Sequence, residues 1–589
     1  MTAPYSRALH PVHVGAGMAS PAVPPAALGP LCLFLASALL MAPLALHAQA
    51  VGPPAIPGRD PQAPALVPPA TAAPNLQLPA QAAPPAAPAR SGPTPRIRVR
   101  EVRISGHTVF SDKELAEITA PYVGRDVTQE ELAALRQALT LKYVNAGYIN
   151  SGALLPDQQV VDGVVEYRIV EGRLSGITVT GTEKLNSAYV ADRLALGGAA
   201  PLNVNTLQDR LQVLLQGPFL ERINAELSPG DRPGEARLIA RVKEGPRSQV
   251  SASLDNDISP SLGELRAGLR GQLFSPSGRG DILGWDLGYA RGYAKLAANY
   301  SLPLGAGGTT LDVFADASRA EVVEQPLNAL DIQSRSSTVG VRLNYPLRHT
   351  AREQFNLIAG FDVRSSASQL LGTGFAFSPG VQANGKSRVS VLRIGQDYVG
   401  RDSGQVTAVR STLSLGTGAL GATDLGNGLP SGKFVAWLGQ FQHARRLGTS
   451  DSQLVVRFDV QLANKPLLPL EQFSVGGVRT VRGFRTNQVV RDQGFASSVE
   501  VRVPVLRSPE GVALVQLTPF IDVGGAWYKG RATDAPQRLS SAGIGLRGDP
   551  FAGLHAELYW ARSIAGRNVV NPSVSAQDRG WHLVVRADF

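Results

Sequence analysis

Two short segments late in the chain combine charged, aromatic and glycine residues in a way that could support a specific contact. They are Val481-Arg482-Gly483-Phe484 and Phe520-Ile521-Asp522-Val523-Gly524. In a strand, side chains two positions apart share a face, so Phe520, Asp522 and Gly524 would point the same way. A carboxylate turned away from solvent needs a cation, and the planar guanidinium of Arg482 can bind both of its oxygens. The pattern predicts an ion pair between Arg482 and Asp522, with Gly483 permitting close backbone approach.

Three glycine-rich stretches match nucleotide-binding formulas, but their surroundings do not. They are Gly380–Ser387, which fits the P-loop, and Gly416–Gly421 and Gly543–Gly548, which fit the dinucleotide fingerprint. A P-loop must open a helix whose N-terminus binds phosphate, whereas residues 388–394 alternate as a strand after a turn at Asn384-Gly385. Neither fingerprint opens a helix in a βαβ unit. We therefore expect no nucleotide and no cofactor.

The residues that most often hold metals or act as nucleophiles are sparse. The chain has one cysteine, Cys32, and eight histidines. The histidines after residue 50 are not spaced as metal pairs; they are His107, His349, His443, His555 and His582. A catalytic group assembled across strands, as in an outer-membrane hydrolase, stays open but has no positive support. We expect a protein that is not an enzyme.

The N-terminal region is typical of an export signal. Leu31–Met41 is a short apolar core, and Ala48-Gln49-Ala50 is a small-x-small cleavage pattern. We predict a signal peptide over residues 1–50, with an uncleaved anchor as the alternative. A net charge of +10 would ordinarily suggest nucleic-acid binding, but the predicted export of the protein argues against this function.

Composition divides the rest of the chain. Residues 51–95 contain 14 prolines and predict an extended linker. Residues 96–172 and 173–245 each read as a small α/β unit in the order β-α-α-β-β, with Gly181 matching Gly106. Ser111 with Glu114, and Thr128 with Glu131, form capping boxes that predict helix starts.

From residue 246 to 589, segments of about ten alternating residues recur between turn residues, which is typical of a membrane β-barrel. We count sixteen segments, with Val481–Phe484 in the long connection between the eleventh and twelfth and Asp522 on the thirteenth, facing the lumen. We expect a wet lumen, which would screen a charge pair. The chain ends on Phe589, on the lipid-facing side of the last segment.

The tandem units, together with Asn145-Ala-Gly147-Tyr148, resemble POTRA domains. Two such units, a barrel of this size and the two late motifs resemble the two-partner secretion transporters (TpsB) of haemolysin and haemagglutinin export, over residues 96–589. The resemblance implies an outer-membrane barrel among outer-membrane lipids, with periplasmic POTRA domains and a large secreted TpsA-like partner. It also implies pairing of Arg482 with Asp522, and reading of Phe589 by the barrel-assembly machinery.

Two alternatives are a barrel insertase, which would normally carry more POTRA units, and a barrel hydrolase. Family members usually also have an N-terminal helix in the resting pore, and residues 51–95 are too proline-rich to offer an obvious one. How the pore is closed, and which partner is secreted, does not follow from the sequence.

Overall fold

The computed structural model describes residues 75–77, 96–448, 450–530, 537–566 and 574–589. The predicted signal peptide and most of the predicted linker therefore lie outside the described residues. Within those ranges, no helix is long and apolar enough to cross a membrane. The elements that precede the barrel are β1 Asn75–Gln77, β2 Arg96–Arg98, β3 Glu101–Ser105, α1 Asp112–Thr119, β4 Asp126–Thr128, α2 Gln129–Asn145, β5 Gly152–Leu154, β6 Val164–Val170, β7 Arg173–Thr180, α3 Ser187–Ala195, α4 Val204–Gln216, β8 Leu220–Pro229 and β9 Glu235–Glu244.

The first α/β unit follows the predicted order with two differences: the first strand is divided, and a short strand, β4, lies between the two helices. Both capping boxes form, and α2 buries Leu132, Leu135 and Leu139 against the sheet β3-β6-β5. The alternation of apolar and charged residues from Ile97 to Ile104 predicts one strand, but this segment forms two strands in two sheets: β2 pairs with β4, and β3 pairs in parallel with β6. The strand divides after Val99, which is fully buried, because the backbone changes its hydrogen-bonding partner at that point.

The two units repeat the same closing contact. Glu171, just after β6, accepts hydrogen bonds from the backbone N–H groups of Thr108 (2.6 Å) and Val109 (3.0 Å). Glu244, at the end of β9, accepts three from the backbone N–H groups of residues 183–185, at 2.7, 3.0 and 2.8 Å. Each carboxylate thus holds the loop that follows the first strand of its own unit.

We predict that these carboxylates stabilise the units in a pH-dependent way. The pKa of Glu171 is lowered overall: burial raises it, but the hydrogen bonds from Thr108, Val109 and Tyr143 outweigh burial. The contribution is therefore complete above the unfolded-state pKa of about 4.3 and is lost as the pH falls through the lowered folded-state pKa. Glu171→Gln should reduce the free energy of unfolding at pH 7. The loss of such hydrogen bonds costs about 1–3 kcal/mol, and we expect a value at the lower end of this range because the carboxylate is partly hydrated.

Hydrogen exchange of residues 97–172 in the full-length protein measures this effect. The matched control is Glu101→Gln in the same unit, since the Glu101 ion pair with Arg103 is about half exposed, with side-chain exposures of 55% and 56%. Glu171→Gln should increase exchange at pH 7 far more than the control, and the difference should shrink in acid. A difference that does not depend on pH would contradict this account.

The linker contributes a strand that the sequence analysis did not predict. Asn75–Gln77 pairs in parallel with β8, and the sheet of the second unit has the order β1-β8-β9-β7. Leu76 packs against the core of this unit. Three residues between prolines offer no alternation from which a strand could be predicted. As a consequence, the edge of β8 is covered by the chain itself.

The joint between the two units is made by the Asn145–Tyr148 stretch. The backbone N–H of Val204 donates to the Gly147 carbonyl (2.9 Å), and the Asn203 side chain donates to the Ala146 carbonyl (3.0 Å). Gly147 has φ +93°, and a Cβ there would lie 2.6 Å from the Asn205 side-chain nitrogen. Glycine at this position therefore permits both the helix end and the close contact with the next unit.

The remaining chain forms a closed antiparallel barrel of sixteen strands, as predicted, and β17 is a short extension that pairs only with β16. Two further short strands, β22 and β23, pair with each other outside the barrel sheet. The strands are β10 Ser248–Asp255, β11 Arg266–Phe274, β12 Ile282–Ala290, β13 Tyr293–Pro303, β14 Thr310–Glu321, β15 Gln333–His349, β16 Glu353–Leu370, β17 Thr373–Gly374, β18 Lys386–Arg401, β19 Gln405–Gly416, β20 Val435–Arg446, β21 Gln453–Ala463, β22 Phe473–Val475, β23 Val489–Arg491, β24 Gln493–Arg507, β25 Ala513–Trp527, β26 Gln537–Phe551, β27 Leu554–Ala565 and β28 Trp581–Asp588.

The barrel closes where β28 pairs with β10. The backbone N–H of Phe589 donates to the Val250 carbonyl (2.8 Å), while the Phe589 side chain is 79% exposed. Large apolar side chains such as Ile521 and Val523 are likewise exposed, whereas their neighbours on the other face of β25 are buried. This alternation gives the barrel an apolar outer face and a polar inner one.

The second α/β unit contacts one end of the barrel through its turns. The Arg210 guanidinium donates to the His349 carbonyl (2.9 Å), and the Asp209 carboxylate accepts from the backbone N–H of Ala351 (2.8 Å). The backbone N–H of Asn186 donates to the Gly278 carbonyl (2.8 Å). The long connection between β21 and β24 leaves the barrel at the opposite end.

Candidate functional site: a loop inside the barrel

Residues 464–492, which connect the eleventh and twelfth barrel strands, fold back against the inner wall; we call them the lumen loop. Within it β22 and β23 form a small antiparallel hairpin. Its apolar side chains pack with residues of the wall strands β20, β24, β25 and β26 in one buried cluster: Leu438, Phe473, Val475, Val481, Phe484, Val489, Ala496, Ala526 and Leu539. Burial of this surface favours the inward position of the loop.

The structure places Arg482 directly against Asp522. The Arg482 Nε lies 2.8 Å from Asp522 Oδ2, and Nη2 lies 2.8 Å from Oδ1, which makes a two-point pair. The backbone N–H of Arg482 also donates to Oδ2 (2.9 Å). Arg482 is 1% exposed and Asp522 is 0% exposed. The expectation of a wet, screened pair is wrong, because the loop itself excludes water from this part of the wall.

Arg482 belongs to a larger network. Its Nη1 lies 2.6 Å from Glu500 Oε2, and its Nη2 donates to the Ser498 hydroxyl (2.9 Å). Glu500 in turn accepts from the Nε of Arg502 (2.8 Å). Two arginines therefore face two carboxylates in this network.

Aromatic rings enclose the guanidinium. The Arg482 Cζ lies 3.4 Å from the ring centroid of Phe520 and 4.9 Å from that of Tyr559. Both contacts lie in the range of a cation–π interaction, which is stronger when the cation is desolvated. We call this assembly around Arg482 the tip anchor.

The other motif residues make the close packing possible. Gly483 has φ +82°, its backbone N–H donates to His582 Nε2 (2.9 Å), and a Cβ there would lie 2.8 Å from the Ala561 Cβ. A Cβ on Gly524 would lie 2.7 Å from a methyl group of Val475. Glycine is therefore required on both sides of the contact, by the loop backbone and by the wall.

Sequence reasoning missed Glu500, Ser498, Tyr559 and His582 as partners of the loop. In the sequence, Ser498 and Glu500 alternate with valines and so share one face of the strand, but nothing in that pattern shows which loop residue they meet. Their contacts arise from the barrel register, which sets Ser498 opposite Asp522 and Glu500 opposite Phe520.

Beyond the tip anchor, the lumen loop is tied to other connections at the same end of the barrel. The Arg485 guanidinium donates to both oxygens of Asp578, at 2.6 and 2.5 Å, and to Glu324 (2.9 Å). Arg479 pairs with Asp257. The loop therefore contacts the connections β10–β11, β14–β15 and β27–β28, which border this mouth of the barrel.

The nucleotide-like stretches are parts of turns and strands. Lys386 begins β18, and the backbone N–H of Gly385 donates to the Gln382 carbonyl (2.8 Å) in the turn before it. Gly543–Gly548 lies within β26. In the described part of the chain, no group of three or more His, Cys, Asp or Glu residues could hold a metal ion.

A sixteen-stranded barrel with α/β units at one end, and with a loop from the other end folded into its lumen, is the architecture of outer-membrane assembly and secretion pores. Residues 234–548 match the haemolysin secretion/activation proteins ShlB/FhaC/HecB, and residues 97–172 match the ShlB-type POTRA domain. The chain belongs to the ShlB/FhaC/HecB family. It is an outer-membrane transporter of a partner exoprotein, with its POTRA region in the periplasm, as the sequence predicted.

Named relatives are similar to this chain in sequence, and a solved structure shares its fold. The chain is 23% identical over 480 residues to the heme/hemopexin transporter protein HuxB of Haemophilus influenzae, covering 77% of this chain and 80% of that protein. It is also 23% identical over 477 residues to the outer membrane transporter CdiB-2 of Burkholderia pseudomallei, covering 77% of each. The structure of CdiB from Escherichia coli has the same fold, with a TM-score of 0.63, 20% identity, and coverage of 86% of this chain and 93% of that one.

BamA from Haemophilus ducreyi, lacking POTRA domains 1–3, shares the fold more distantly. Its TM-score is 0.51 at 15% identity, with coverage of 84% of this chain and 100% of that one. This likeness concerns the fold alone. The family match favours secretion over the insertase alternative.

Proposed function

We propose that this transporter conducts a large unfolded partner protein outward, and that the lumen loop is the gate that the tip anchor holds in place. The observation that carries this proposal is the buried network around Arg482. A fully satisfied arginine, enclosed by two rings, holds one defined loop position. Loss of these partners would free the tip of the loop from wall strands β24 and β25.

Capture of the partner belongs to the periplasmic units. An extended segment of the partner would add to an exposed sheet edge, where backbone hydrogen bonds give affinity without demanding one sequence. The edge of β8 is covered by β1, so a partner segment reaches it only by displacing residues 75–77. The other edge strands of the two larger sheets are β7 in the second unit and β3 and β5 in the first unit.

The proposal includes no chemical reaction, no nucleotide and no cofactor. Forward movement would come from folding of the partner outside the cell, which opposes its return. We also propose that the exposed Phe589 is read by the barrel-assembly machinery before insertion. Adhesins, haemolysins and related toxins are the partner classes that a channel for unfolded chains fits.

Deletion of the chain in its native host tests this function. The culture supernatant, cell surface and periplasm are compared by proteomics between the deletion strain and a strain complemented with the wild-type chain. At least one large exported protein should disappear from the surface and supernatant and return on complementation. Unchanged surface and supernatant proteins, under conditions where the chain is produced, would reject the proposal.

A further inference from the structure

A second buried charge cluster joins the lumen loop to a different part of the wall. Three adjacent wall strands, the seventh to the ninth, contribute Asp362 from β16, Arg393 from β18 and Ser414 from β19. The loop contributes Glu471, at the end of a short 3-10 turn. The side chains of Asp362, Arg393 and Glu471 are 7%, 12% and 4% exposed.

Arg393 uses its whole hydrogen-bonding capacity in this cluster. Its Nε and Nη2 donate to the two oxygens of Asp362, at 2.6 and 3.1 Å. Its Nη2 and Nη1 donate to the two oxygens of Glu471, at 2.9 and 3.2 Å, and Nη1 also donates to the Ser414 hydroxyl (2.8 Å). Five contacts match the five N–H groups of a guanidinium, a set that a lysine cannot reproduce.

A second arginine and a glutamine complete the attachment. The Arg364 Nη1 donates to the Leu470 carbonyl (2.9 Å) and lies 3.7 Å from Glu471 Oε1. The Gln461 side chain donates to the Glu471 carbonyl (2.9 Å). Both the carboxylate and the backbone of this short turn are therefore held by the wall.

The part of the lumen loop just before Glu471 also packs into an apolar cluster of its own, separate from the cluster at the tip anchor. It consists of Val389, Val391, Phe434, Ala436, Ala463, Leu467, Leu468 and Leu470. Besides its contacts with neighbouring connections, the loop is thus attached to the wall strands at two places, each time by an apolar cluster and a buried arginine network. The positions of the two charges are exchanged between the clusters. At the tip anchor the loop supplies the arginine, whereas in the second cluster the loop supplies the carboxylate.

We propose that Glu471, held by Arg393 and Arg364, is a second anchor that positions the lumen loop independently of Arg482. We call it the arm anchor. The role of the arm anchor rests on the proposed gating function, because the arm anchor is a second attachment that must open before the loop leaves the lumen. The separation between wall strands 7–9 and strands 12–13 makes it possible to open one anchor while the other stays closed.

A cysteine reporter on the loop measures its release. Val475→Cys replaces a fully buried loop residue by one of similar size, in a chain whose single cysteine is changed by Cys32→Ala. The arm anchor is opened by the double variant Glu471→Ala/Arg364→Gln. This variant leaves Arg393 paired with Asp362, so that no buried charge is stranded. Labelling of cells by a membrane-impermeant maleimide then reports how often the loop opens.

We expect the double variant to label about tenfold faster or more than the reporter alone, since several charge-assisted hydrogen bonds are lost. Heat modifiability of the barrel in gels checks that it is folded. The control is Glu510→Gln, in the exposed turn between β24 and β25, which removes one carboxylate elsewhere and should leave labelling unchanged. Combination with Arg482→Ala should multiply the two effects, as expected for independent anchors.

A folded double variant that labels no faster than the control would overturn the proposal. If the double variant does not fold, Arg393→Lys replaces it: this change keeps the charge and should still speed labelling, because the two-point contacts to both carboxylates are lost. Unchanged labelling in folded Arg393→Lys would equally overturn it.

Export of the partner is measured separately in the same strains. The labelling assay needs no partner, so it decides on the anchor whether or not the proposed gating function holds. Faster labelling with normal export would support the anchor and reject the gate. Unchanged labelling would reject the anchor, while loss of export in Arg482→Ala alone would still support the gate.

Discussion

Replacement of Arg482 by alanine is expected to reduce export of the partner at least about tenfold while the barrel stays in the outer membrane at near-normal level. The change removes the two-point partner of Asp522 and one of the two ion-pair partners of Glu500, and both carboxylates are buried. Removing one partner of a buried ion pair costs about 3–5 kcal/mol, and movement of the loop away from the wall would relieve this cost by hydrating the carboxylates. The barrel should survive, because its strands are held by backbone ladders that do not include Arg482.

The pairing itself is tested by a double-mutant cycle with Asp522→Ala. In the double variant Glu500 and Arg502 remain as a balanced pair, so its loss of export should be much smaller than the product of the two single losses. Arg482→Lys should rescue poorly, since an ammonium cannot match both oxygens of Asp522 together with Glu500 and Ser498.

The matched control is Arg270→Ala, which removes an arginine of another wall strand whose ion pair with Asp286 is 57% and 32% exposed. Export and heat-modifiable barrel are measured in every strain. Export losses that simply multiply across the cycle would show that Arg482 and Asp522 act independently. A similar loss in Arg270→Ala would show a general sensitivity of the barrel instead.

The architecture and the central contact could be predicted because both depend on local patterns. Alternation with a period of two assigns each strand an inner and an outer face, which placed Asp522 on the inside. Capping boxes and positive-φ glycines gave the helix starts and turns of the α/β units. The pairing of Arg482 with Asp522 followed from the chemistry of one buried carboxylate and one nearby loop arginine.

Contacts between residues that are far apart in the chain and meet only in the folded barrel could not be predicted from the sequence. Glu471 stands next to Pro469-Leu470 and looks like an ordinary loop carboxylate, yet it meets an arginine that is 78 positions away in the chain. Asn75–Gln77 has no strand pattern of its own and gains a partner only because β8 has a free edge. The dry surroundings of Arg482 likewise result from the fold of the loop, whereas sequence reasoning assumed an open channel.

Deletion of residues 97–245 is expected to abolish partner export while a folded barrel remains in the outer membrane. The two POTRA units have their own cores, and the barrel closes on itself through β10 and β28 without them. Capture would be lost, because the sheet edges that could accept the partner all lie within the deleted part.

A shorter deletion locates the effect within this region. Deletion of residues 97–172 removes the first unit but keeps the contacts of Arg210 and Asp209 with the barrel turns. If the partner is captured on β3 or β5, the shorter deletion should abolish export as fully as the longer one. If it is captured at β8, the shorter deletion should retain export. Export at wild-type level after removal of both units would contradict any role of the POTRA pair in capture.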